Sequence, residues 1–354
     1  MSAVRLEGAK VLVTGGAGFI GSHLVDRLLG PSRVGRVVVL DDLSNGSEDN
    51  LDFHRGDARL ELQVGDVRDA RTVEAVAAGV DVVFHLACLG VRHSLHDPMG
   101  NHEVNATGTL VLLEAARAAA VSRFVHVSTS EVFGTAQWAP MDERHPTWPE
   151  TVYGAAKLAG EAYARAAHRT HGLPVTVVRP FNNYGPRSHF EGDSGEVVPR
   201  TVVRALCGLP PLVYGDGLQT RDFLHVSDTS RALVALAECG PAVGRTVNVG
   251  FGEETSIDAL VRAVTTAVGR SDLQPERLPD RPGDVRRLWV DNTCVADLVG
   301  FRPSVRLEDG LAELVAWFRG LSTTPEQMLA GVSERNWLPV PVPAQVPAPV
   351  GAVG

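Results

Sequence analysis

The fold is decided by the stretch "VLVTGGAGFIGSHL" at residues 11–24, where a glycine cluster separates a strand-like apolar run from a helical pattern. Gly15, Gly18 and Gly21 are spaced by three residues, and Gly16, Gly18 and Gly21 also fit the pattern GxGxxG. Glycines at such a junction allow a tight turn and let backbone N–H groups approach a pyrophosphate, whose charge a helix N-terminus favours. The stretch therefore predicts a dinucleotide-binding turn between the first strand and the first helix.

Two acidic residues end the next strand-like runs. Asp41, twenty residues past Gly21, ends "RVVVLD" and can accept hydrogen bonds from both hydroxyls of a ribose. The same carboxylate repels a 2′-phosphate, so we expect NAD in preference to NADP. Asp66 in "VGDVRD" is expected near the adenine, although an aspartate at a strand end also serves as a helix cap.

Outward from this turn, strand-like runs alternate with helical patterns through residue 180. The runs are "KVLVTG" (10–15), "RVVVLD" (36–41), "LELQVGD" (60–66), "DVVFHLA" (81–87), "FVHVST" (124–129) and "PVTVVRP" (174–180). Unbroken apolar runs between helices indicate a parallel sheet that is covered on both faces. We expect an α/β fold in which residues 1–180 form a Rossmann-type doubly wound parallel sheet that binds NAD and carries the catalytic residues.

The composition of the sequence and the length of its predicted elements change after residue 180. Glycine- and proline-rich connections separate shorter elements over residues 181–320, which predicts a smaller C-terminal α/β domain for the substrate, with the chain free to cross back between the domains. Residues 321–354, which end in "WLPVPVPAQVPAPVGAVG", are interpreted as a proline-rich tail in polyproline II or disordered form.

Charge and composition exclude several classes of function. The net charge of −9 argues against binding to nucleic acid or to an anionic membrane, because both require basic surface. The sequence predicts neither a secretory leader nor a membrane span. The four cysteines, which are Cys88, Cys207, Cys239 and Cys294, lack the spacing of a disulfide frame or a zinc site. These features predict a cytoplasmic protein without a metal site.

A catalytic base is predicted in "TVYGAAK" (151–157), which opens a helical pattern. Tyr153 and Lys157 stand at positions i and i+4 and therefore share one helix face. An ammonium about 4 Å from a phenolate contributes about 4 kcal/mol at an effective dielectric near 20, and an oxidised nicotinamide adds a second positive charge. Because the ordinary pKa of tyrosine is about 10, these two charges are expected to let Tyr153 act as a base near neutral pH.

The run "FVHVST" ends in three adjacent polar residues, Thr129, Ser130 and Glu131. Together with "TGGAGFIG", "YGAAK", "RPFNNYGPR", "QTRDFLHVSD" and "RPGDVRR", this pattern resembles the extended short-chain dehydrogenases/reductases that act on nucleotide-diphosphate sugars, over residues 8–320. The resemblance implies that the Thr129 hydroxyl binds the sugar O4 beside Tyr153. The tyrosine would then remove the O4 proton while the C4 hydride passes to NAD.

Glu131 separates the subclasses of this family. Its C4-epimerases usually carry small or hydroxyl residues after the threonine, whereas 4,6-dehydratases place a glutamate where Glu131 stands. A ketone at C4 acidifies C5, so that a carboxylate can take the C5 proton while the C6 hydroxyl leaves. The pair Ser130-Glu131 resembles GDP-mannose and UDP-N-acetylglucosamine dehydratases and UDP-glucuronate decarboxylases, whereas many dTDP-glucose dehydratases have Asp-Glu. The alternative that Glu131 caps a turn outside the site stays open.

The resemblance also implies the residues of two binding sites. NAD is expected to contact Gly15, Gly18, Phe19, Ile20, Gly21, Asp41, Asp66, Val67, Leu86, Ala87, Tyr153 and Lys157. The nucleotide sugar is expected to contact Arg92, Asn182, Tyr214, Arg221, Arg281 and Asp284. Arg221 and Arg281 suit phosphate or ribose, Asp284 a ribose hydroxyl, and Tyr214 the base. The acidic loop "EGDSGEVVPR" (191–200) either closes over the sugar or contacts a neighbouring subunit, and His85, His93 and His96 are expected to serve packing or loop hydrogen bonds.

These inferences predict an NAD-dependent enzyme that converts a nucleotide-diphosphate sugar through a 4-keto intermediate, with a 4,6-dehydratase as the leading interpretation. A C4-epimerase uses the same cofactor and base and is the first alternative. A nucleotide-uronate decarboxylase needs a further cation, for which Arg92 is a candidate. A non-catalytic NAD-binding protein is disfavoured by the presence of Thr129, Tyr153 and Lys157. We expect a homodimer.

Overall fold

The structure, a computed structural model, describes residues 4–338. Within them the strands are β1 (Lys10–Thr14), β2 (Arg36–Asp41), β3 (Leu60–Val64), β4 (Val82–His85), β5 (Arg123–Val127), β6 (Val175–Pro180), β7 (Asn182–Tyr184), β8 (Leu212–Tyr214), β9 (Thr220–Arg221), β10 (Phe223–His225), β11 (Thr246–Val249), β12 (Thr255–Ser256) and β13 (Glu276–Leu278). The α-helices are α1 (Phe19–Leu29), α2 (Ala70–Ala77), α3 (His93–His96), α4 (Pro98–His102), α5 (Thr109–Ala118), α6 (Val152–His171), α7 (Val197–Leu206), α8 (Val226–Glu238), α9 (Ile257–Val268), α10 (Thr293–Val299), α11 (Leu307–Gly320) and α12 (Pro325–Leu329).

Seven strands form one sheet in the order β11-β6-β5-β4-β1-β2-β3, and every neighbouring pair is parallel. The chain first runs outward from β1 to β3 and then returns to β4 on the other side of β1. This reversal creates a crevice at the carboxyl ends of β1 and β4, where ligands bind in such sheets. The predicted doubly wound parallel sheet is confirmed.

Helices cover both faces of this sheet, which explains the unbroken apolar strands. Val11 and Val13 of β1 pack in one layer with α1 and α8, whereas Leu12 packs in the opposite layer with α2 and α5. Successive side chains of a strand point to opposite faces, so a sheet buried on both sides needs apolar residues at every position. All three side chains are fully buried.

Helix α6 carries the predicted base and has clear signals at both ends. The Thr151 hydroxyl accepts the backbone N–H of Gly154 at 3.2 Å, which satisfies one of the free donors of the first turn. The helix ends at Gly172, whose φ of +72° is the left-handed conformation that favours glycine. Tyr153 and Lys157 therefore lie in the first two turns, next to the carboxyl end of β5.

The chain crosses back to the large sheet after residue 180. Helix α8 packs against α1, and β11 extends the sheet beyond β6. The second domain has its own apolar core, to which α7, α9 and α11 contribute, and it holds the short strand pairs β7–β10, β9–β12 and β8–β13. The predicted range 181–320 therefore contains α8 and β11, which belong to the layers of the first domain.

The first part of the predicted tail, residues 321–338, is packed on the second domain. Residues 321–338 include α12, which packs on α7, and the side chain of Asn336 is only 3% exposed. The rest of the predicted tail, residues 339–354, lies outside the described residues. No helix within residues 4–338 has the length and apolar character needed to cross a bilayer.

Candidate active site

The strand ends of the large sheet and the second domain together line a cavity of about 370 Å³. Its lining includes twenty of the twenty-one predicted site residues, namely Gly15, Gly18, Phe19, Ile20, Gly21, Asp41, Val67, Leu86, Ala87, Arg92, Thr129, Ser130, Glu131, Tyr153, Lys157, Asn182, Tyr214, Arg221, Arg281 and Asp284. Asp66 is predicted as well but does not line it. A large cavity with a few convergent polar groups is the usual form of a ligand site.

The glycine turn fits a dinucleotide. Gly15 has a φ of +70°, and a Cβ there would lie 2.7 Å from the backbone nitrogen of Ala87. A Cβ on Gly21 would lie 2.0 Å from the carbonyl oxygen of Gly15, so both positions require glycine. The start of α1 therefore presents bare backbone to the cavity, as a pyrophosphate requires.

Asp41 is held in the same part of the cavity. Its Oδ2 accepts the Ala17 N–H at 2.9 Å, and its Oδ1 accepts the Leu43 N–H at 3.0 Å. Burial raises the pKa of Asp41, while these two backbone hydrogen bonds oppose the shift. Each carboxylate oxygen has a second lone pair, so that this side chain can still accept ribose hydroxyls. The residues present therefore fit NAD.

Asp66, which the sequence places near the adenine, is not among the residues that line the cavity. Its carboxylate binds the Arg68 guanidinium with an N–O distance of 2.6 Å, which lowers the pKa of Asp66. Arg68 also binds Glu103 at 3.0 Å. The neighbouring Val67 lines the cavity instead. Asp66 therefore forms an ion pair with an arginine two residues further along the chain, and the strand pattern alone does not reveal such a contact.

The polar end of β5 places Glu131 in the cavity. The Thr129 hydroxyl caps a short 3₁₀ turn over Ser130–Val132 by accepting the Glu131 N–H at 3.2 Å. Because Thr129 serves as the cap, the side chain of Glu131 is free to face the cavity. Burial raises the pKa of Glu131, while Arg221 and Arg281 lower it. Glu131 is thus not a turn cap outside the site.

Tyr153 and Lys157 line the cavity, and burial is the largest influence on the pKa of both side chains. The ammonium of Lys157 is buried and donates to the carbonyl oxygen of Val127 at 2.7 Å. Burial raises the pKa of Tyr153 well above its ordinary value, the charges of Cys88 and Glu131 add to the rise, and a hydrogen bond with Thr129 opposes it. Desolvation therefore outweighs the favourable contacts that this chain supplies.

A buried ion pair fixes α6 to the strands that carry the site. Glu161, one turn after Lys157, accepts from Arg179 at 2.7 and 2.6 Å and from the Ser128 hydroxyl at 2.6 Å. Glu161 is fully buried and Arg179 is 4% exposed. The hydrogen bonds from Ser128, which precedes Thr129, and from Arg179 of β6 lower the pKa of Glu161 against the effect of burial. The helix with the base is therefore locked against both strands.

Two arginines and one carboxylate form the substrate side of the cavity. Oδ1 of Asp284 accepts from Arg221 at 2.6 Å and from Arg281 at 2.8 Å. One carboxylate therefore holds two guanidinium groups side by side, leaving a net positive charge for a diphosphate. Asp284 is predicted as a ribose acceptor, and its Oδ1 is occupied by the two arginines in this structure.

Asn182 and Arg92 complete the predicted set. The side-chain oxygen of Asn182 is buried and has no hydrogen-bond partner among the described residues. An unpaired buried oxygen is costly, which makes it a natural acceptor for a bound hydroxyl. Arg92 donates to the carbonyl oxygens of Asp193 and Ser194 at 2.9 and 3.1 Å, so these donors serve the loop 191–200 rather than a sugar carboxylate.

The cavity is also lined by residues that sequence reasoning missed, among them Cys88, Glu196 and Arg200. Burial raises the pKa of Glu196 to about 7, although Arg92 opposes the shift. Burial also lowers the pKa of the Arg200 guanidinium. Glu196 and Arg200 both belong to the stretch 191–200 that is predicted as a loop, but its last four residues form the start of α7, so that Glu196 precedes the helix and Arg200 lies in its first turn.

The three histidines lie in hydrogen-bond networks or on a helix, as expected for packing and loop contacts. His85 bonds to the hydroxyls of Thr14 and Thr109 at 2.7 and 2.9 Å beneath the cavity. His96 bonds to Asp193 at 2.8 Å and stacks near His93, with ring centroids 5.0 Å apart. Within residues 4–338 no group of three or more histidine, cysteine or acidic side chains is placed to hold a metal ion.

Comparison with known proteins agrees with this geometry. The family model described as GDP-mannose 4,6 dehydratase matches residues 12–314. The chain belongs to this family. Its members form the nucleotide-sugar epimerase and dehydratase branch of the extended short-chain dehydrogenases/reductases, so the resemblance inferred from the motifs is confirmed.

Individual members of the family carry different activities. A UDP-glucose 4-epimerase from Mycolicibacterium smegmatis is 41% identical over 317 residues, covering 88% of this chain and 99% of the relative. A dTDP-glucose 4,6-dehydratase from Streptomyces griseus is 42% identical over 312 residues, covering 87% of this chain and 93% of the relative. The solved dTDP-glucose 4,6-dehydratase from Streptomyces venezuelae, which has NAD bound, is 36% identical with a TM-score of 0.84 and covers 88% of this chain and 97% of that one. Overall identity thus leaves two reactions open.

Proposed function

We propose that this chain is an NAD-dependent nucleotide-sugar 4,6-dehydratase. The observation that carries the proposal is the position of Glu131, whose carboxyl group lines the same cavity as Thr129 and Tyr153. The positive charges of Arg221 and Arg281 lower the pKa of this carboxyl group. Epimerisation at C4 requires one proton-transfer group at O4. A second proton-transfer group beside it suits a reaction that also removes the proton from C5.

The first stage would take place at C4 and O4 of the sugar. Thr129 and Tyr153 bind O4, and the Tyr153 phenolate takes its proton. NAD, held by the glycine turn and Asp41, would supply a reversible hydride acceptor for C4 and a positively charged ring that favours the phenolate. Lys157 holds its place through the bond to the Val127 carbonyl, and Glu161 holds α6 beneath both residues.

The second stage would use Glu131. With a ketone at C4, the C5 proton is acidic enough for a carboxylate to remove it. The same carboxyl group can then pass that proton to the C6 oxygen as the C–O bond breaks, so that water leaves and Glu131 ends as a carboxylate. The arginines beside it favour the ionised form, while burial strengthens its basicity.

The nucleotide diphosphate would occupy the substrate side of the cavity. Arg221 and Arg281 are aligned by Asp284 for phosphate oxygens, and the free side-chain oxygen of Asn182 can accept a sugar hydroxyl. Tyr214 lines the far end, where it can stack against the base. This local positive charge is compatible with the acidic chain, because a few oriented guanidinium groups suffice for one diphosphate.

A nucleotide-sugar C4-epimerase is the second candidate. It is favoured by the epimerase of 41% identity, close to the 42% of the dehydratase, and by Ser130, a hydroxyl residue of the kind that epimerases carry after the threonine. The two activities share NAD, Thr129, Tyr153 and Lys157, and they differ in the fate of the C5 proton.

The test is a panel of nucleotide hexoses incubated with the purified enzyme and analysed by mass spectrometry and NMR. A dehydratase gives a product lighter by one water, whereas an epimerase gives a product of unchanged mass with inverted C4. Tyr153→Phe serves as the blank, because it lacks the base that both reactions need. A product of unchanged mass would replace the dehydratase proposal with the epimerase.

Two further features of this enzyme are part of the proposal. A cytoplasmic location is supported by four cysteines that are all free. A homodimer is supported by Met99 on α4 and Leu110 on α5, two large apolar side chains that are 67% and 43% exposed. Sedimentation of the wild type beside Met99→Glu checks the dimer, which the charge should weaken.

A further inference from the structure

The last described residues, 331–338, pack onto the second domain as a short irregular segment that we call the clasp. The family match ends at residue 314, so the clasp lies beyond the part of the chain that the family shares. Its central residue, Asn336, is 3% exposed, while its neighbours Ser333, Glu334 and Arg335 are exposed. A buried amide directly after three exposed residues indicates a specific contact.

Asn336 holds the loop 191–196 from the outside. Its side-chain nitrogen donates to the carbonyl oxygens of Gly192 and Gly195, at 2.9 and 3.0 Å. The N–H of Gly192 in turn donates to the carbonyl oxygen of Gly331 at 3.1 Å. Three hydrogen bonds therefore join the clasp to one short loop.

The same loop is tied on its inner side to the first domain. Arg92 binds the carbonyl oxygens of Asp193 and Ser194, and the Ser194 hydroxyl donates to the side-chain oxygen of Asn45 at 2.6 Å. Asn45, Arg92 and Ser194 all line the cavity. The loop thus bridges the two domains across the cavity, between the clasp and the NAD side.

The clasp also reaches the substrate side of the cavity directly. Arg200 donates to the side-chain oxygen of Asn336 at 3.3 Å and to the carbonyl oxygen of Ser333. The Tyr214 hydroxyl donates to the carbonyl oxygen of Glu334. Both Arg200 and Tyr214 line the cavity at the end proposed for the nucleotide.

We propose that Asn336 is a positioning residue for nucleotide-sugar binding, and that the clasp keeps the loop 191–196 closed over the bound substrate. The assignment of the ligand rests on the proposed function, whereas the coupling of clasp and loop does not. Asn336 touches no reacting atom, and it acts through the loop, Arg92 and Arg200. Its loss should therefore weaken substrate binding much more than the chemical step.

Two substitutions separate the contacts of Asn336. Asn336→Ala removes both donated bonds and the side-chain acceptor of Arg200, while the Ser333 carbonyl that Arg200 also binds remains. Asn336→Asp keeps an acceptor for Arg200 but replaces the two N–H donors with a carboxylate that faces the carbonyl oxygens of Gly192 and Gly195. Glu334→Ala is the matched control, because its side chain is exposed and its backbone carbonyl remains.

Amide hydrogen exchange of the loop provides the readout that does not need turnover. In both Asn336 variants the amides of residues 191–196 should exchange about tenfold faster than in the wild type, with Glu334→Ala unchanged. KM for the nucleotide sugar should rise about tenfold while kcat stays within about twofold, because the loop contributes to binding rather than to proton transfer. Unchanged exchange in both variants, or a loss confined to kcat, would refute the role of the clasp.

Wild-type protein gives a second test that does not depend on the variants folding. Addition of dTDP or UDP should protect residues 191–196 and 331–338 together, and protection of the loop without the clasp would overturn the coupling. If Asn336→Asp behaves as the wild type, Arg200 alone is the important contact and the loop mechanism is wrong. A wild type that converts no nucleotide hexose would disprove the proposed function, and the exchange results would still decide the coupling.

Discussion

Glu131→Gln separates the two stages of the proposed reaction. The substitution keeps the size of the side chain and its capacity for hydrogen bonding, but glutamine cannot accept a proton. Loss of a positioned proton-transfer group costs about 10² to 10⁴ in rate, or about 3 to 5 kcal/mol in activation free energy. The C5 step should fall by this factor, whereas oxidation at C4 depends on Tyr153 and should persist.

The structure indicates that this substitution leaves the pocket intact. Arg221 and Arg281 lose one nearby negative charge, but both remain bound to Asp284 at 2.6 and 2.8 Å. The turn below is capped by the Thr129 hydroxyl and the backbone N–H of residue 131, neither of which the change removes. Nucleotide binding should therefore stay close to that of the wild type.

The pH dependence has a definite sign. Glu131 must be ionised to accept a proton, and burial raises its pKa. Activity of the wild type should therefore decline as the pH falls through that raised pKa, from a higher pH than an exposed glutamate would allow. Glu131→Gln should lack this acid limb, so that its low residual rate is flat over the same range.

The assay follows two signals in the same samples. Enzyme-bound NADH, read by its near-ultraviolet absorbance, should accumulate when substrate is added to Glu131→Gln. Deuterium incorporation at C5 from heavy water should be clear in the wild type and nearly absent in the variant. Glu150→Gln, an exposed carboxylate in the segment before α6, is the matched control and should behave as the wild type.

Two results would refute this reasoning. A wild type without C5 exchange that forms a C4-inverted product would show that Glu131 has no proton to remove. A Glu131→Gln enzyme that loses water at the wild-type rate would show that another group is the base.

Three other predictions address the remaining parts of the site. Tyr153→Phe should lower turnover by about 10² or more while nucleotide binding survives in titration calorimetry, and a near-normal rate would exclude it as the base. Asp41→Ala should weaken NAD and reduce its preference over NADP, as measured by titration with both cofactors, and equal affinities in the wild type would contradict the role of Asp41. Glu161→Gln should destabilise the fold by about 3 to 5 kcal/mol because Arg179 loses its buried partner. Scanning calorimetry would show this as a lower Tm. The double variant Glu161→Gln/Arg179→Met should recover part of the lost stability. A Tm of Glu161→Gln equal to that of the wild type would disprove the importance of the pair.

Much of the fold was predictable because its signals are local. The run of Val11, Leu12 and Val13 is apolar on both faces, which only a covered parallel sheet explains. Gly15 and Gly21 are required by contacts within one turn. What the local pattern did not reveal was that α8 and β11 return to the first domain, since this depends on which apolar faces remain open after the first six strands have packed.

The features of the site were likewise predictable only where their signals lie within a short stretch of chain. Sequence spacing by itself determined that Tyr153 and Lys157 share a helix face and that Thr129, Ser130 and Glu131 end a strand, because helix period and strand ends are properties of a short stretch of chain. Only the tertiary structure decided the electrostatics of these groups.

Burial raises the pKa of Tyr153, and Lys157 bonds to a backbone carbonyl, because desolvation and partners depend on everything packed around a group. The meeting of Arg221 and Arg281 on Asp284, and the reach of Asn336 to the loop 191–196, likewise join residues far apart in the chain. No spacing in the sequence encodes such contacts, since they exist only after the two domains and the end of the chain have packed together.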